Sequence, residues 1–127
     1  MGLIKEKAKK QKNIADKEME IANKRKDIAK KLENIGKEED KVLNLEDDVA
    51  KLKRDLENKN ADVHKAKNEK DKAKKEKKAA ESKEKLAKKE KEVAQIKERF
   101  EKRKSEVTDL EKKINELERK IIEIKGQ

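Results

Sequence analysis

Between Val93 and Ile124 the apolar side chains fall at Val93, Ile96, Phe100, Val107, Leu110, Ile114, Leu117, Ile121 and Ile124. The steps alternate three and four residues, with one gap at Arg103. This is the a/d heptad pattern of a coiled-coil helix, whose apolar stripe keeps facing one neighbour along its whole length. Lys, Glu, Arg, Asp and small polar residues fill the positions between. A stripe of this kind on a lone helix stays in water, so the stretch must meet another helix. The expected fold class is all-α.

Composition supports a thin core rather than a thick one. Of the 127 residues, 55% are charged and 31% hydrophobic, and Phe100 is the single aromatic. Such values also suit disordered chains. The periodic stripe, the absence of Pro and the wealth of Lys, Glu, Ala and Leu favour long helix instead. There is no Cys, which excludes disulfides, thiolate nucleophiles and Cys-held metals. No apolar run approaches the roughly 18 residues of a membrane helix. The opening Met1-Gly2-Leu3-Ile4-Lys5 has no signal-peptide core, and Glu6 stands where myristoylation of Gly2 would want Ser or Thr. The expectation is an intracellular, soluble protein with no membrane span.

In residues 3–57, the N-terminal helical half, Ile14, Ile21, Ile28 and Ile35 recur every seven residues, with Ala15, Ala22 and Ala29 beside them. The intermediate inward places hold Lys17, Lys24 and Lys31, so this seam is half built; Met19 and Leu32 widen it irregularly. Gly36 reads as a glycine within one helix, because the seven-residue spacing continues through it to Val42 and Val49. A stronger seam follows at Val42, Leu45, Val49, Leu52, Leu56 and Val63, with Lys59 as its polar member.

The chain changes character near its midpoint. Asn58, Asn60, Asp62, His64 and Asn68 are middling or poor helix formers. Residues 32–62 hold 6 basic and 10 acidic groups, whereas residues 63–91 hold 13 basic and 6 acidic ones. The apolar seam thins to Ala66, Ala73, Ala79 and Ala80, and the heptad phase slips between Val63 and Leu86. A turn would uncouple the two phases; a continuous coiled coil would absorb the slip as a local change of supercoil. Two arrangements follow. The first expectation is a long, Lys/Glu-rich coiled coil, an extended helical rod paired with a second chain. β-branched residues at a (Val107, Ile114, Ile121) with Leu at d favour a parallel dimer. The alternative is an antiparallel two-helix hairpin turning near residues 58–64, with residues 65–125 as the C-terminal helical half. It would lay the acidic segment on the basic one and pair Ile21 with Val107 and Ile14 with Ile114. In either case the chain is one coiled-coil element over residues 1–127.

Catalytic chemistry is not expected. His64 is the only histidine, Gly2, Gly36 and Gly126 are too far apart to cradle a phosphate, and a thin helical seam offers no pocket to shift paired carboxylates. No cofactor, metal or small-molecule substrate is anticipated. The net charge is +10, and Lys70, Lys72, Lys74, Lys75, Lys77 and Lys78 could neutralise phosphates. Without Tyr or Trp there is little to stack on bases, so nucleic-acid binding through residues 65–91 would be non-specific.

The run Glu111-Lys112-Lys113-Ile114-Asn115-Glu116-Leu117-Glu118-Arg119-Lys120-Ile121 resembles the rod segments of tropomyosin, myosin tails and the arms of SMC-type ATPases. The Ala/Lys/Glu-rich middle is faintly similar to late-embryogenesis desiccation proteins. The rod resemblance implies a structural protein that spaces, bundles or tethers partners by helix pairing, with a homodimer or another coiled-coil protein as partner. It carries no ATPase activity with it, since no ATPase motif is present.

Overall fold

A computed structural model describes residues 2–127 and consists of two α-helices: α1, Gly2–His64, and α2, Glu69–Gly126. The protein is therefore all-α, and the two-helix arrangement fits the hairpin alternative; the single uninterrupted helix of the rod reading is broken at residues 65–68. No helix of the described residues is long and apolar enough to cross a membrane.

Local sequence accounts for both helices. Neither contains Pro, and acid-to-lysine pairs four residues apart brace them at Asp27–Lys31 (3.7 Å), Asp55–Lys59 (3.0 Å), Asp71–Lys75 (3.1 Å) and Glu84–Lys88 (3.5 Å). Acid preceding lysine is the favourable order on a helix. Helix α1 runs unbroken through Gly36, where an added Cβ would meet nothing within 4 Å. It also runs through residues 58–64, so the break falls a few residues beyond the expected turn. The reason is that Asn58 and Asn60 are exposed, where each costs the helix only a few tenths of a kcal/mol (~0.5), while Leu56, Lys59 and Val63 keep the inward stripe going.

The break itself is built from caps. Helix α1 closes with tightened bonds, Lys65 N–H to the Asp62 carbonyl at 3.1 Å and Ala66 N–H to that of Val63 at 3.2 Å. Asn68 then starts α2: its Oδ1 accepts from the Asp71 N–H at 2.8 Å, satisfying an otherwise orphaned donor. Asp71 reaches back and accepts from the Lys67 N–H at 3.3 Å. Glu69 and Asp71 place negative charge in the first turn of α2, where the helix dipole favours it. No described residue of the turn needs a positive φ.

The chain divides into two compact units. One comprises residues 1–36 with 101–127, the other residues 37–100. In the second unit the two helical arms, joined by the turn, pack antiparallel around Val42, Leu45, Val93 and Ile96, with Val49 and Phe100 against them. In the first, Ile21, Ile114 and Ile121 form the core, flanked by Ile14, Ile28 and Leu117. There Arg25 bonds Glu118 and Lys31 bonds Glu106, each at 2.9 Å. Position rises along α1 as it falls along α2, which makes this unit antiparallel as well. Ile21 thus lies with Ile114 and Ile121, one heptad further along α2 than the expected partner Val107. Moving the turn from 58–64 to 65–68 moves every pairing with it.

Candidate functional site

The inward positions of α2 form one series: Asp71, Lys75, Ala79, Ser82, Leu86, Lys89, Val93, Ile96, Phe100, Arg103, Val107, Leu110, Ile114, Leu117, Ile121 and Ile124 are buried or half-buried. After two steps of four, at 71–75–79, the steps alternate three and four to the end. The phase slip between Val63 and Leu86 is taken up by the turn and by those two steps, and Arg103 fills the gap in the apolar pattern.

In the unit of residues 37–100, Val42, Leu45, Val93 and Ile96 are buried, while Val49, Leu52, Leu56, Val63 and Phe100 are half-buried. Where Leu56 and Val63 lie near Ala79 and Ala80, the small side chains leave a shallow, largely apolar groove. The most enclosed side chain of the whole described chain is polar. Ser82, 1% exposed, accepts from Lys59 Nζ at 2.8 Å and donates to Asp55 Oδ2 at 2.9 Å. Lys59 also bonds Asp55 directly at 3.0 Å, closing a three-membered network across the two helices. The Lys59 hydrogen bond, and then that of Ser82, hold the Asp55 carboxyl below the usual carboxylate range. Lys97 bonds Glu46 across the same unit at 2.8 Å.

In the unit of residues 1–36 and 101–127, Ile21, Ile35, Val107, Ile114 and Ile121 are buried; Leu110, Leu117 and Ile124 are half-buried. The intermediate inward places of α1 are Lys10, Lys17, Lys24 and Lys31, all half-buried. Their aliphatic stems cover apolar surface while the ammonium groups reach water. Lys31 goes furthest, bonding Glu106 at 2.9 Å and standing 3.7 Å from Asp27. The hydrogen bond to Glu106 raises the Lys31 pKa above its ordinary value, and Lys31 in turn lowers that of Glu106.

The six lysines of the basic run do not form one group. Lys72 stands 4.0 Å from Glu76, and Lys75 bonds Asp71 at 3.1 Å, which holds Asp71 low together with the Lys67 N–H. Lys70, Lys74, Lys77 and Lys78 are exposed and have no carboxylate within 4.0 Å among the described residues. His64 ends α1, a favourable place for a positive group, and joins no metal-ligating cluster; among the described residues there is none.

The reading of sequence alone did not single out Ser82 or the Asn68–Asp71 cap. Counting back from Val93 in steps of four and three gives Lys89, Leu86, Ser82 and Ala79, which would have found the first. The Asn-x-x-Asp spacing immediately before a Lys/Ala/Glu run would have found the second. Comparison with family models, with curated proteins and with solved structures finds no match for this chain.

Proposed function

We propose that this chain is a structural interaction element that works by helix pairing, and that it pairs with a second copy of itself. In this reading the seven-residue repeat is a coiled-coil repeat, already used once within the chain and available again on its flanks. The observation that carries it is the row of apolar side chains left half-buried after the helices of each unit have packed. Leu110, Leu117 and Ile124 form that row in one unit; Leu52, Leu56, Val63 and Phe100 form it in the other. Leu32, Leu43 and Ile122 add larger exposure, at 52%, 61% and 68%. Two packed helices shelter a seam from one side only, and further helices shelter the flanks, as in bundles with knobs-into-holes packing. The Lys and Glu residues beside the row would set orientation and partner choice.

Light scattering on the intact chain tests the reading. A molar mass of at least twice 14.8 kDa at micromolar concentration is expected. A strictly monomeric chain up to tens of micromolar (~50 μM, the range where weak pairing corresponds to about 6 kcal/mol) overturns self-pairing.

A further inference from the structure

We infer that the side of α2 carrying Lys70, Lys74, Lys77 and Lys78, continued into the turn by Lys67, is a contact surface for the phosphate backbone of double-stranded nucleic acid. The inference goes beyond helix pairing and does not depend on it.

It starts from a charge surplus that the fold leaves unanswered. Residues 63–91 carry 13 basic and 6 acidic groups, opposite an acidic stretch of α1. Packing these two arms together answers only part of it: Lys85 helps to hold the Asp55 carboxyl low across the arms, but most of the surplus is left. The lysines of the basic run that have partners find them on their own helix: Lys72 with Glu76, Lys75 with Asp71, Lys88 with Glu84 and Lys89 with Glu92. Lys97, which pairs across the arms with Glu46, lies outside the run. Lys67, Lys70, Lys74, Lys77 and Lys78 have no carboxylate within 4.0 Å among the described residues.

Geometry then gathers these unanswered charges. At 100° per residue, positions 70, 74, 77 and 78 fall within an arc of about 100° and about 12 Å of helix length. That arc lies to one side of the inward stripe through Asp71, Lys75 and Ala79, so packing leaves it open. Lys67, Lys70 and Lys74 share the rim of a shallow concavity with Asn68, Asp71 and Lys75. Its one acid, Asp71, is already engaged by Lys75, by the Lys67 N–H and, at longer range, by Lys74, and so opposes an incoming phosphate only weakly.

The chemistry of the arc selects the partner. Lysine is a compact point charge that suits phosphate without bidentate geometry and without reading bases. The chain has no Trp or Tyr, and its one Phe, Phe100, is packed in a core, so there is no platform on which unpaired bases could stack. The arc also holds no apolar side chain to enter a bilayer. A duplex presents one phosphate charge per about 1.7 Å of axis, which places several phosphates along the length of the arc.

The experiment is fluorescence anisotropy of the intact chain with a labelled duplex of arbitrary sequence, across a salt series. Each phosphate contact contributes about −0.9 to the slope of log affinity against log salt, so four or five contacts predict a slope near −4. Replacing Lys70, Lys74, Lys77 and Lys78 together by Gln should weaken binding at least tenfold and flatten the slope by about 3.6. A control carrying Lys5→Gln, Lys7→Gln, Lys9→Gln and Lys12→Gln loses the same net charge and should stay within a few-fold of the parent. Circular dichroism of both variants shows whether the helices are retained. Equal losses in the two variants would mean that net charge alone attracts the duplex and would overturn the assignment. So would absence of binding at low salt, tighter binding to an oligothymidine single strand, or binding to phosphatidylserine vesicles in preference to the duplex.

Discussion

The two units are built from the same repeat and differ in how well their arms match. Around Val42–Val49 and Val93–Phe100, both arms bring apolar residues to both inward positions, and a buried cluster of four results. In the other unit, α2 brings a full apolar seam from Val107 to Ile124, whereas α1 answers with isoleucine at one position and lysine at the next. Leu110, Leu117 and Ile124 remain half-buried in this unit. The quality of a stripe read on one helix therefore does not by itself predict how deeply each of its members is buried.

A charge in the middle of either core should cost the most stability. Ile114→Lys should destabilise by about 3 kcal/mol or more, because a buried ammonium loses its hydration without a partner. Ile96→Ala, at a site 5% exposed, should cost about 2 kcal/mol. Ala73→Lys, on an exposed surface, should stay within about 0.5 kcal/mol. Thermal melts followed by circular dichroism rank the three; equal shifts for Ile114→Lys and Ala73→Lys would show that the stripe is not the core.

Repairing the weaker arm should have the opposite sign. Lys24 lies inward at one of the polar places, so Lys24→Leu should stabilise by about 1 kcal/mol through added apolar burial. A lower melting temperature instead would mean that the lysine stem already covers that surface better than leucine can.

The smallest effect is electrostatic. Glu106 is held below its ordinary pKa by Lys31, so its contribution is present above about pH 4.3 and fades as pH falls through the lowered value. Asp55 follows the same rule in the other unit. Lys31 is raised, so its contribution is present below about pH 10.4 and fades as pH rises through the raised value. All three groups keep contact with water, which keeps the effects slight. Glu106→Gln should reduce the alkaline sensitivity that Lys31 confers, Asp27 keeping part of it, and leave the acid response of Asp55 in place, as read from melting temperature against pH.

Which residues turn inward could be counted from the repeat, since hydrophobic spacing reports the helix face directly. The lysines among them were also visible, as polar members at inward places. The register was not legible, because Ile14, Ile21 and Ile28 on one arm and Val107, Ile114 and Ile121 on the other share a period of seven. Any slide by one heptad satisfies the hydrophobic pattern equally, so only the position of the turn decides. The cluster of Asn58, Asn60 and Asp62 drew the expected turn too early, because weak helix propensity in exposed positions is overridden by Leu56 and Val63 on the inward side. The count back from Val93 reaches Ser82 as an inward place, but the local sequence does not mark the partners that its hydroxyl meets there, Asp55 and Lys59. A doubly labelled chain decides the register. Spin labels at Asn13 and Ile122 should lie closer than labels at Asn13 and Asn115, and the short distance should survive dilution with unlabelled chain.

The capped turn at residues 65–68 also has a kinetic meaning. Contacts beside it join residues close in sequence, whereas those of Ile21 with Ile114 and Ile121 close most of the chain into a loop. Loop closure grows costlier with length, by roughly 0.6 kcal/mol per doubling. Folding is therefore expected to start at the turn and zip outward, reaching the isoleucine and lysine arm last. On that course Ile96→Ala slows folding, while Ile114→Ala leaves the folding rate nearly unchanged and speeds unfolding. Zipping from a fixed end also admits only one of the registers that the seven-residue repeat would allow, so the Asn68–Asp71 cap does for the order of events what no residue of the seam can do for itself.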